Sequence, residues 1–360
     1  MKVNRSFVVS TLLLFVFAGC TPHFSLAEES SVVVVRGHGV HSNEVRFATF
    51  SPDGKNIVLV SVDAIPRIVD ATSGKELQKF VGHYGSVKSV HFAPDGQKIV
   101  SACTDNIRIW DVETGVELRR LESVQGERRS TFNHASFSPD SKKIVAADSS
   151  TVQIWDVESG KLLRQMSGHA LVPNWTVAHS SRRISSTFFS PDGRTVVSSG
   201  TQDRTIRTWN AYTGKELQIM TGHEDYSIAF ATFSPDGKRI ASAGGEFHIW
   251  DALTGRELLG QEAYVGRTRC VSFSPDGKKL IVAGDGVAAT VTGLDGLAIS
   301  FGIAQKPDPI FVRIFDSESG TELQNIVGHT KRVWTAFFSP DGTKVVTASD
   351  DGTARIVNVQ

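Results

Sequence analysis

The amino-acid sequence predicts an all-β fold, a seven-bladed β-propeller with four antiparallel strands in each blade. Three observations lead to this prediction: a recurring five-residue motif, a nearly constant spacing between its copies, and short alternating strands between them. The motif is FSPDG at 50–54, 189–193, 233–237, 273–277 and 338–342, with FAPDG at 92–96 and FSPDS at 137–141. Proline, aspartate and glycine in this order are typical of a tight turn, because proline fixes one backbone angle and glycine accepts a positive one.

The spacing of the motif predicts one blade for each copy. Successive motif prolines are separated by 42, 45, 52, 44, 40 and 65 residues. A period of about 43 residues is typical of a four-stranded propeller blade. The two long steps indicate insertions, one in 170–185 and one in 287–311.

Each copy of the motif has similar surroundings, which define the strands of a blade. A glycine–histidine pair lies upstream at 37–38, 82–83, 168–169, 222–223 and 328–329. Trp-Asp lies downstream at 110–111, 155–156 and 250–251, with related pairs at 69–70, 209–210, 315–316 and 357–358. Short Ser-Gly or Thr-Gly turns follow at 73–74, 114–115, 159–160, 213–214, 254–255 and 319–320. Four strands separated by such turns complete each repeat.

The joint recurrence of GH, SPDG and WD resembles the WD40-repeat family across residues 31–360. The repeats are expected at about 37–81, 82–124, 125–167, 168–221, 222–260, 261–327 and 328–360. The resemblance implies that each repeat supplies the outer strand of the neighbouring blade. The chain ends on a third strand, so strand 32–36 is expected to pair with the last blade and close the ring, which removes free sheet edges.

The resemblance also implies a buried hydrogen-bonded network inside a blade, made of histidine, serine or threonine, aspartate and tryptophan. The expected members are His83, Ser101, Asp105 and Trp110 in blade 2; His169, Ser199, Asp203 and Trp209 in blade 4; and His329, Thr347 and Asp351 in blade 7. Blade 5 lacks the aspartate. Because the set repeats around the ring, we interpret it as structural and expect no catalytic triad.

The first 27 residues read as a signal peptide, with two positive charges followed by an apolar run of about 14 residues, too short to span a bilayer. FAGC at 17–20 resembles a bacterial lipobox, which would make Cys20 the lipidated first residue of the mature chain. SLA at 25–27 offers instead an ordinary cleavage site before Glu28. Either route predicts an exported bacterial protein of the cell envelope or periplasm, or a secreted one, with a membrane contact only through a lipid on Cys20.

Composition excludes several classes of function. Lys and Arg number 38, as do Asp and Glu, so no overall field attracts nucleic acid. Cys103 and Cys270 lie in strand-like segments and are expected to be buried and unpaired. The spacing of cysteine and histidine predicts no metal site, and no cofactor-binding motif is present. We expect a monomeric body.

Candidate binding residues come from two sources, the insertions that interrupt the repeat and the residues at the ends of strands. The resemblance implies that residues entering each first strand face one end of the ring, called the top face. The candidates there are Arg46, Arg267, Arg269, Lys331, Arg332 and Trp334. They belong to blades 6, 7 and 1, which are consecutive in a closed ring, so they predict one basic patch around a tryptophan.

Two insertions supply further candidates on the same face. The blade 4 insertion contains Trp175, Arg182 and Arg183, of the residue types enriched at interaction hot spots. The blade 6 insertion has few charges. We interpret it either as an apolar arm that contacts a partner or as a loop folded over its own blade.

The favoured function is a non-catalytic protein-interaction scaffold that binds its partner through the top face. The alternatives are an envelope enzyme or carbohydrate-binding propeller that uses the central channel, with His91 and His134 as its titratable groups, or a propeller like the periplasmic TolB type, which also repeats SPDG. The GH and WD landmarks favour the WD40 assignment over the last of these.

Overall fold

The computed structural model describes residues 33–39, 43–122, 124–125, 128–129, 131–148, 151–169, 184–223, 228–261, 266–286 and 310–359. In these residues the strands form seven four-stranded antiparallel sheets and one two-stranded hairpin. The prediction of an all-β, seven-bladed propeller is confirmed. No helix in the described part of the chain has the length and apolar character needed to cross a membrane.

Blades 1 to 6 each take four consecutive strands, and blade 7 combines the last three strands with the first strand of the chain, β1 (Val33–Arg36). Blade 1 comprises β2 (Val45–Phe50), β3 (Asn56–Ser61), β4 (Pro66–Asp70) and β5 (Glu76–Lys79). Blade 2 comprises β6 (Val87–Phe92), β7 (Lys98–Cys103), β8 (Ile107–Asp111) and β9 (Glu117–Leu121), followed by the hairpin β10 (Val124–Gln125) and β11 (Arg128–Arg129). Blade 3 comprises β12 (Phe132–Phe137), β13 (Lys143–Asp148), β14 (Thr151–Asp156) and β15 (Leu162–Ser167).

The remaining blades repeat this order. Blade 4 comprises β16 (Ile184–Phe189), β17 (Thr195–Gly200), β18 (Ile206–Asn210) and β19 (Glu216–Met220). Blade 5 comprises β20 (Phe230–Phe233), β21 (Arg239–Ala243), β22 (Phe247–Asp251) and β23 (Glu257–Gln261). Blade 6 comprises β24 (Gly266–Phe273), β25 (Lys279–Gly286), β26 (Ile310–Asp316) and β27 (Glu322–Asn325), and blade 7 contains β28 (Val333–Phe338), β29 (Lys344–Ser349) and β30 (Thr353–Asn358).

The ring is closed by β1. It pairs antiparallel with β30, with Val33 opposite Ile356 and Arg36 opposite Thr353. The N–H of Gly37 extends the pairing by donating to the carbonyl of Gly352 at 2.8 Å. The predicted closure by the N-terminal strand is confirmed, and Val33 is the first paired residue of the described part of the chain.

The hydrophobic core lies between neighbouring blades. One cluster joins Ile109 of blade 2 to Phe132 and Trp155 of blade 3. Cys103 and Cys270 are buried in separate blades as free thiols. Since each blade buries its faces against two neighbours, the closed ring stabilises all of them together.

The recurring SPDG motif is a turn whose aspartate is held by its own chain. In blade 6, Ser274 Oγ donates to Asp276 Oδ1 at 2.6 Å, and the N–H of Lys278 donates to the same oxygen at 3.0 Å. The hydrogen bond from Ser274 is the main reason that the pKa of Asp276 lies below its ordinary value. Gly277 has a φ of 71°, a left-handed conformation that favours glycine. Asp276 therefore stabilises a hairpin turn.

The opposite end of the first strand carries a β-bulge. In six described strand pairs the register of the first strand against the second shifts by one residue. The extra residues are Arg46, Lys88, Asn133, Ser185, Arg269 and Trp334. A bulge leaves one residue unpaired and redirects its side chain. Three of the predicted partner-binding residues occupy such positions.

Candidate interaction surface

The bulge residues of blades 6, 7 and 1 meet around one indole ring. The guanidinium carbons of Arg46 and Arg269 each lie 5.0 Å from the centre of the Trp334 ring, and that of Arg332 lies 5.2 Å from it. Such distances allow a cation–π attraction between each arginine and the ring. Four of the predicted residues are therefore brought together.

Two aspartates hold this group in place, and the sequence analysis did not identify them. Asp285 accepts from Nε of Arg269 at 2.8 Å and from Nε of Arg332 at 3.2 Å. Asp350 accepts from Nε1 of Trp334 at 2.6 Å. Arg46 also pairs with Glu44, and its Nη1 lies 4.0 Å from Asp350. We call Arg46, Arg269, Asp285, Arg332, Trp334 and Asp350 the tryptophan–arginine cluster.

The charge of Asp285 depends on these arginines. Burial alone would raise the pKa of Asp285, but the hydrogen bonds and charges of Arg269 and Arg332 outweigh it and hold the pKa below its ordinary value. Three arginines in the cluster thus face two aspartates. The predicted basic patch is in fact a mixed-charge surface with an excess of positive charge.

Arg267 and Lys331 lie beside the cluster with exposed side chains. Arg267 is opposite Asp285 in the β24–β25 register. The carbonyl of Lys331 accepts from Ser349 Oγ at 2.9 Å, which fixes the loop that leads into blade 7. Trp175, Arg182 and Arg183 lie outside the described residues, as do 287–309 of the blade 6 insertion.

The blade networks lie inside single blades. In blade 2, His83 Nε2 lies 2.6 Å from Ser101 Oγ, which accepts from Trp110 Nε1 at 2.8 Å, and His83 Nδ1 lies 3.4 Å from Asp105. Burial, followed by the charge of Arg108, lowers the pKa of His83 to about 4. The ring is therefore neutral at neutral pH.

Blade 4 requires a correction. His169 pairs with Asp203 at 2.8 Å as expected, but Ser198 rather than Ser199 lies 2.8 Å from His169 Nε2 and accepts from Trp209. Val196 is opposite Trp209, and alternate residues of a strand share a face, so Ser198 and not Ser199 points to the tryptophan. Ser199 bonds instead to Ser185 and Ser186.

Blades 7 and 5 show two variants of the network. In blade 7, His329 lies 2.7 Å from both Asp351 and Thr347. In blade 5, which was expected to lack the acid, Glu246 replaces the aspartate at 2.9 Å from His223 Nδ1. The spacing could have located the serines, because Ser101, Ser198 and Ser242 all stand seven residues after the motif proline.

Phenylalanine and histidine rings from six blades contact one another near the axis of the ring. His91 of blade 2 and Phe188 of blade 4 have ring centres 5.6 Å apart, and Phe230 of blade 5 and Phe337 of blade 7 lie 5.8 Å apart. Contacts between blades that are not neighbours cross the axis. His91 Nε2 lies 3.0 Å from Nε2 of His134, and burial lowers the pKa of His91 to about 3.

A cavity of about 370 Å³ opens at the end of the channel where the SPDG turns lie. Its lining includes Thr49, Ser272 and Phe337, and His91 is the one titratable side chain among the described lining residues. A neutral imidazole without a carboxylate offers no acid–base pair for hydrolysis.

Closed four-stranded blades, SPDG turns and His–Ser–Trp networks together define a WD-repeat propeller. The chain matches the family described as "WD domain, G-beta repeat" over residues 74–111, 119–156, 160–210, 214–251, 256–288 and 320–358, and it belongs to that family.

Several characterised proteins are similar to this chain. The serine-threonine kinase receptor-associated protein of Dictyostelium discoideum is 26% identical over 325 residues, covering 90% of this chain and 97% of the relative. The eukaryotic translation initiation factor 3 subunit I of Aspergillus niger is 23% identical over 327 residues, covering 90% and 93%. A guanine nucleotide-binding protein subunit beta of Oryza sativa subsp. indica is 24% identical over 273 residues, covering 67% of each.

These relatives correct the predicted localisation. They are proteins of eukaryotes, named for receptor association, translation initiation and a guanine nucleotide-binding protein. The prediction of an exported bacterial propeller in a cell envelope is therefore wrong. It depended on residues 1–27 and on Cys20 as a lipidation site, and these lie outside the described residues.

Proposed function

We propose that this chain is a non-catalytic interaction scaffold that binds a protein partner through the tryptophan–arginine cluster. The observation that carries the proposal is the convergence of three arginines on Trp334 from three consecutive blades. Arginine and tryptophan are enriched among interface hot spots. The relatives named as a receptor-associated protein and as subunits support a binding role.

The chemistry of the cluster defines the class of partner. Asp285 and Asp350 hold the guanidinium groups in fixed positions, which reduces the entropy lost when a ligand binds. Arg267 and Lys331 add exposed positive charge at the edge. A protein segment with acidic side chains on either side of an apolar residue fits this surface, since the acids face the cations and the apolar group covers the indole.

Two further sequence predictions extend this proposal. The residues of the blade 4 insertion, Trp175, Arg182 and Arg183, would contribute contacts on the same face, and the blade 6 insertion, which follows Asp285 closely in the chain, would cover or contact the partner. The repeat boundaries remain predictions of where each sequence repeat begins and ends.

A catalytic or carbohydrate-binding role for the channel has less support. The aromatic side chains that cross the axis leave little room there, and His91 is partly buried between Phe47 and Phe188. The SPDG aspartates, which a hydrolase could otherwise use, are engaged with their own turns.

The test compares two double charge-reversal variants. One changes residues near the start of the first strands, and the other changes residues in the turns that follow the first strands. Arg267→Glu with Lys331→Glu changes exposed cations beside the cluster. Lys142→Glu with Lys278→Glu changes exposed lysines in two SPDG turns and serves as the control. Proteins captured by the wild-type chain are identified by quantitative mass spectrometry, and binding of a purified captured protein is then measured.

We expect the top-face pair to weaken binding at least about 10-fold, equivalent to about 1.4 kcal/mol, and the control pair to leave it unchanged. Both variants should unfold at the temperature of the wild type, because these side chains are exposed. A captured protein that binds both variants with wild-type affinity would contradict the proposed surface.

A further inference from the structure

Blade 5 has a residue that no other blade carries at one position of its third strand, two residues before the tryptophan or its equivalent. Blade 3 has Gln153 at this position and blade 7 has Arg355. In blades 1, 2, 4 and 6 this position is an arginine that forms an ion pair with a glutamate of the fourth strand. The pairs are Arg67–Glu76, Arg108–Glu117, Arg207–Glu216 and Arg313–Glu322. Blade 5 has His248 there instead, paired with Glu257.

The replacement of the arginine by His248 adds a second histidine to the hydrogen-bonded network of blade 5. Glu246 Oε1 lies 2.9 Å from His223 Nδ1 and 3.3 Å from His248 Nε2. All three potential ligand atoms lie within 4.8 Å of one another. Two imidazole nitrogens and a carboxylate oxygen therefore converge on one point.

The other nitrogen of each ring is held by a hydrogen-bond partner. His223 Nε2 lies 2.7 Å from Ser242 Oγ, which also accepts from Trp250 Nε1 at 2.8 Å. His248 Nδ1 lies 3.0 Å from Glu257. In metal sites, such contacts fix the orientation of ligating histidines and leave the first nitrogen free for the metal.

We propose that His223, Glu246 and His248 bind one divalent transition-metal ion, for which Zn²⁺ is the best match. Imidazole and carboxylate are ligands that Zn²⁺ accepts in tetrahedral sites, with water in the fourth position. At metal–ligand distances of about 2.0–2.1 Å, tetrahedral ligand atoms lie about 3.3 Å apart. The 3.3 Å contact already matches this separation, and the 2.9 Å contact needs to open by only a few tenths of an ångström, while the two imidazole nitrogens lie within 4.8 Å of each other.

Burial favours the same assignment. The His223 side chain has no exposed surface and that of His248 is 9% exposed, which shields the ligands. The Glu246 side chain is 17% exposed and leaves a path for the ion. A buried histidine pair with one carboxylate open to solvent is a suitable arrangement for a three-ligand site.

Blade 2 shows why the arginine matters. The ligand atoms of His83, Cys103 and Asp105 also lie within 4.8 Å of one another, but Nη2 of Arg108 lies 3.9 Å from Asp105. This permanent positive charge opposes a metal cation, and burial raises the pKa of the Cys103 thiol to about 11, which disfavours the thiolate that binds zinc. Blade 5 lacks both obstacles.

The experiment measures zinc binding to the full chain by isothermal titration calorimetry after treatment with a chelator, using ZnCl₂ as the probe. We expect a saturable site in the wild type that His248→Arg abolishes. This variant should fold, because arginine forms the same ion pair in four other blades. Glu257→Gln should weaken the site about 10- to 100-fold, while Glu322→Gln, the equivalent change in blade 6, should have no effect.

Equal zinc binding by the wild type and a folded His248→Arg variant would overturn the proposal, as would a wild-type chain without saturable zinc binding. If His248→Arg does not fold, Glu246→Gln decides, because the amide keeps the shape of the side chain and removes the anionic ligand. Loss of the site in that variant would support the assignment, and retention would refute it. The partner-binding proposal is independent of all these outcomes.

Discussion

The molecule contains two kinds of polar cluster, one inside blades and one between blades. The blade 2 network joins His83, Ser101 and Trp110 within a single sheet, and related networks recur in blades 4, 5 and 7. The tryptophan–arginine cluster joins side chains of blades 6, 7 and 1 and consists of charged groups. The recurring cluster is buried, while two arginines of the other are more than one-third exposed.

The difference separates structural from functional polar residues. A group that satisfies buried hydrogen bonds in every blade can appear wherever the repeat appears. A cluster that is built from three particular blades requires residues that differ from the repeat at single positions. Perturbations that affect one cluster and not the other therefore test the two roles.

Removal of β1 should have the largest effect, because it opens the ring at the seam between blades 7 and 1. Arg46 crosses this seam to reach Trp334, whereas the blade 2 network does not. Deleting 33–36 removes four residue pairs and the buried side chain of Val35, which is 7% exposed in the ring and packs in a core cluster shared by blades 7 and 1. We expect the free energy of unfolding in urea to fall by about 4 kcal/mol or more.

Val34→Thr is the control for this deletion. The Val34 side chain is 45% exposed, so the change keeps the strand and its pairing. We expect stability within about 0.5 kcal/mol of the wild type. A deletion variant as stable as the control would show that β1 does not close the ring in solution.

Lowering the pH should separate the clusters. The pKa of His83 is about 4 in the fold and 6.5 ordinarily, so the unfolded chain takes up a proton first. The stability that the neutral ring contributes is complete above about pH 6.5 and is lost as the pH falls towards 4. At about 1.4 kcal/mol per pKa unit, His83 accounts for at most about 3.5 kcal/mol.

The cluster between blades should respond only at lower pH. The pKa of Asp285 lies below its ordinary 3.8, so its contribution is present above that value and is lost as the pH falls below it. Urea midpoints at pH 7, 5.5 and 4.5 give the measurement. Because burial also lowers the pKa values of His91, His134 and His223, a decline equally steep in the wild type and in His83→Asn would contradict the neutral, buried state of His83.

The pKa of one histidine, His248, is shifted in the opposite direction. The pH experiment therefore needs a variant that removes the contribution of His83 in blade 2. Burial lowers the pKa of His248, but hydrogen bonds to Glu246 and Glu257 outweigh it and raise the pKa above 6.5. Stability from this group is present below 6.5 and is lost as the pH rises. His83→Asn should make the decline between pH 6.5 and 4 shallower.

Asp285→Asn should have the next largest effect, by weakening the cluster between blades. The amide keeps the size of the side chain but removes the charge that pairs with Arg269 and Arg332. Since Arg332 is 40% exposed, solvent screens part of the attraction, and we expect a loss of about 1–2 kcal/mol in urea unfolding.

The same substitution in a turn provides the matched control. Asp276→Asn keeps an oxygen that can accept from Ser274 and Lys278, so we expect a change within about 0.5 kcal/mol. If the two substitutions have equal effects, the cluster between blades is no more tightly coupled than an ordinary turn.

The sequence was sufficient to predict the fold because the same pattern recurs seven times. Proline and glycine at fixed places predict the turns, and the unpaired strand at the start predicts the closure. The prediction of Ser199 was wrong for a local reason. Ser198 and Ser199 are adjacent and both satisfy the motif, and only the strand register with Trp209 identifies Ser198 as the network residue.

The candidate site was predicted only in part. Arg46, Arg269 and Trp334 could be found because they occupy equivalent positions in consecutive blades, and Arg332 because it stands two residues before Trp334. Asp285 and Asp350 were not found, since their role depends on a bulge that turns the arginines towards the ends of the second strands. Glu246 was missed because a longer acid takes the place of the usual aspartate.

The smallest effect is expected from completing a blade network that blade 3 lacks. Trp155 Nε1 is buried and has no hydrogen-bond partner in the described structure, because Ala146 stands where Ser101, Ser198 and Ser242 accept from the tryptophans of other blades at 2.8 Å. Ala146→Ser supplies that acceptor and should raise the free energy of unfolding by about 0.5–1.5 kcal/mol.

The neighbouring residue gives the control. Ala147 is equally buried but points to the other face of β13, where a hydroxyl meets the apolar cluster of Val152 and Val196, so Ala147→Ser should destabilise by about 1–3 kcal/mol. Urea unfolding of both variants measures the difference. If Ala146→Ser is also destabilising, the serine in the other blades depends on the histidine to orient its hydroxyl, and the network inside a blade acts only as a complete unit.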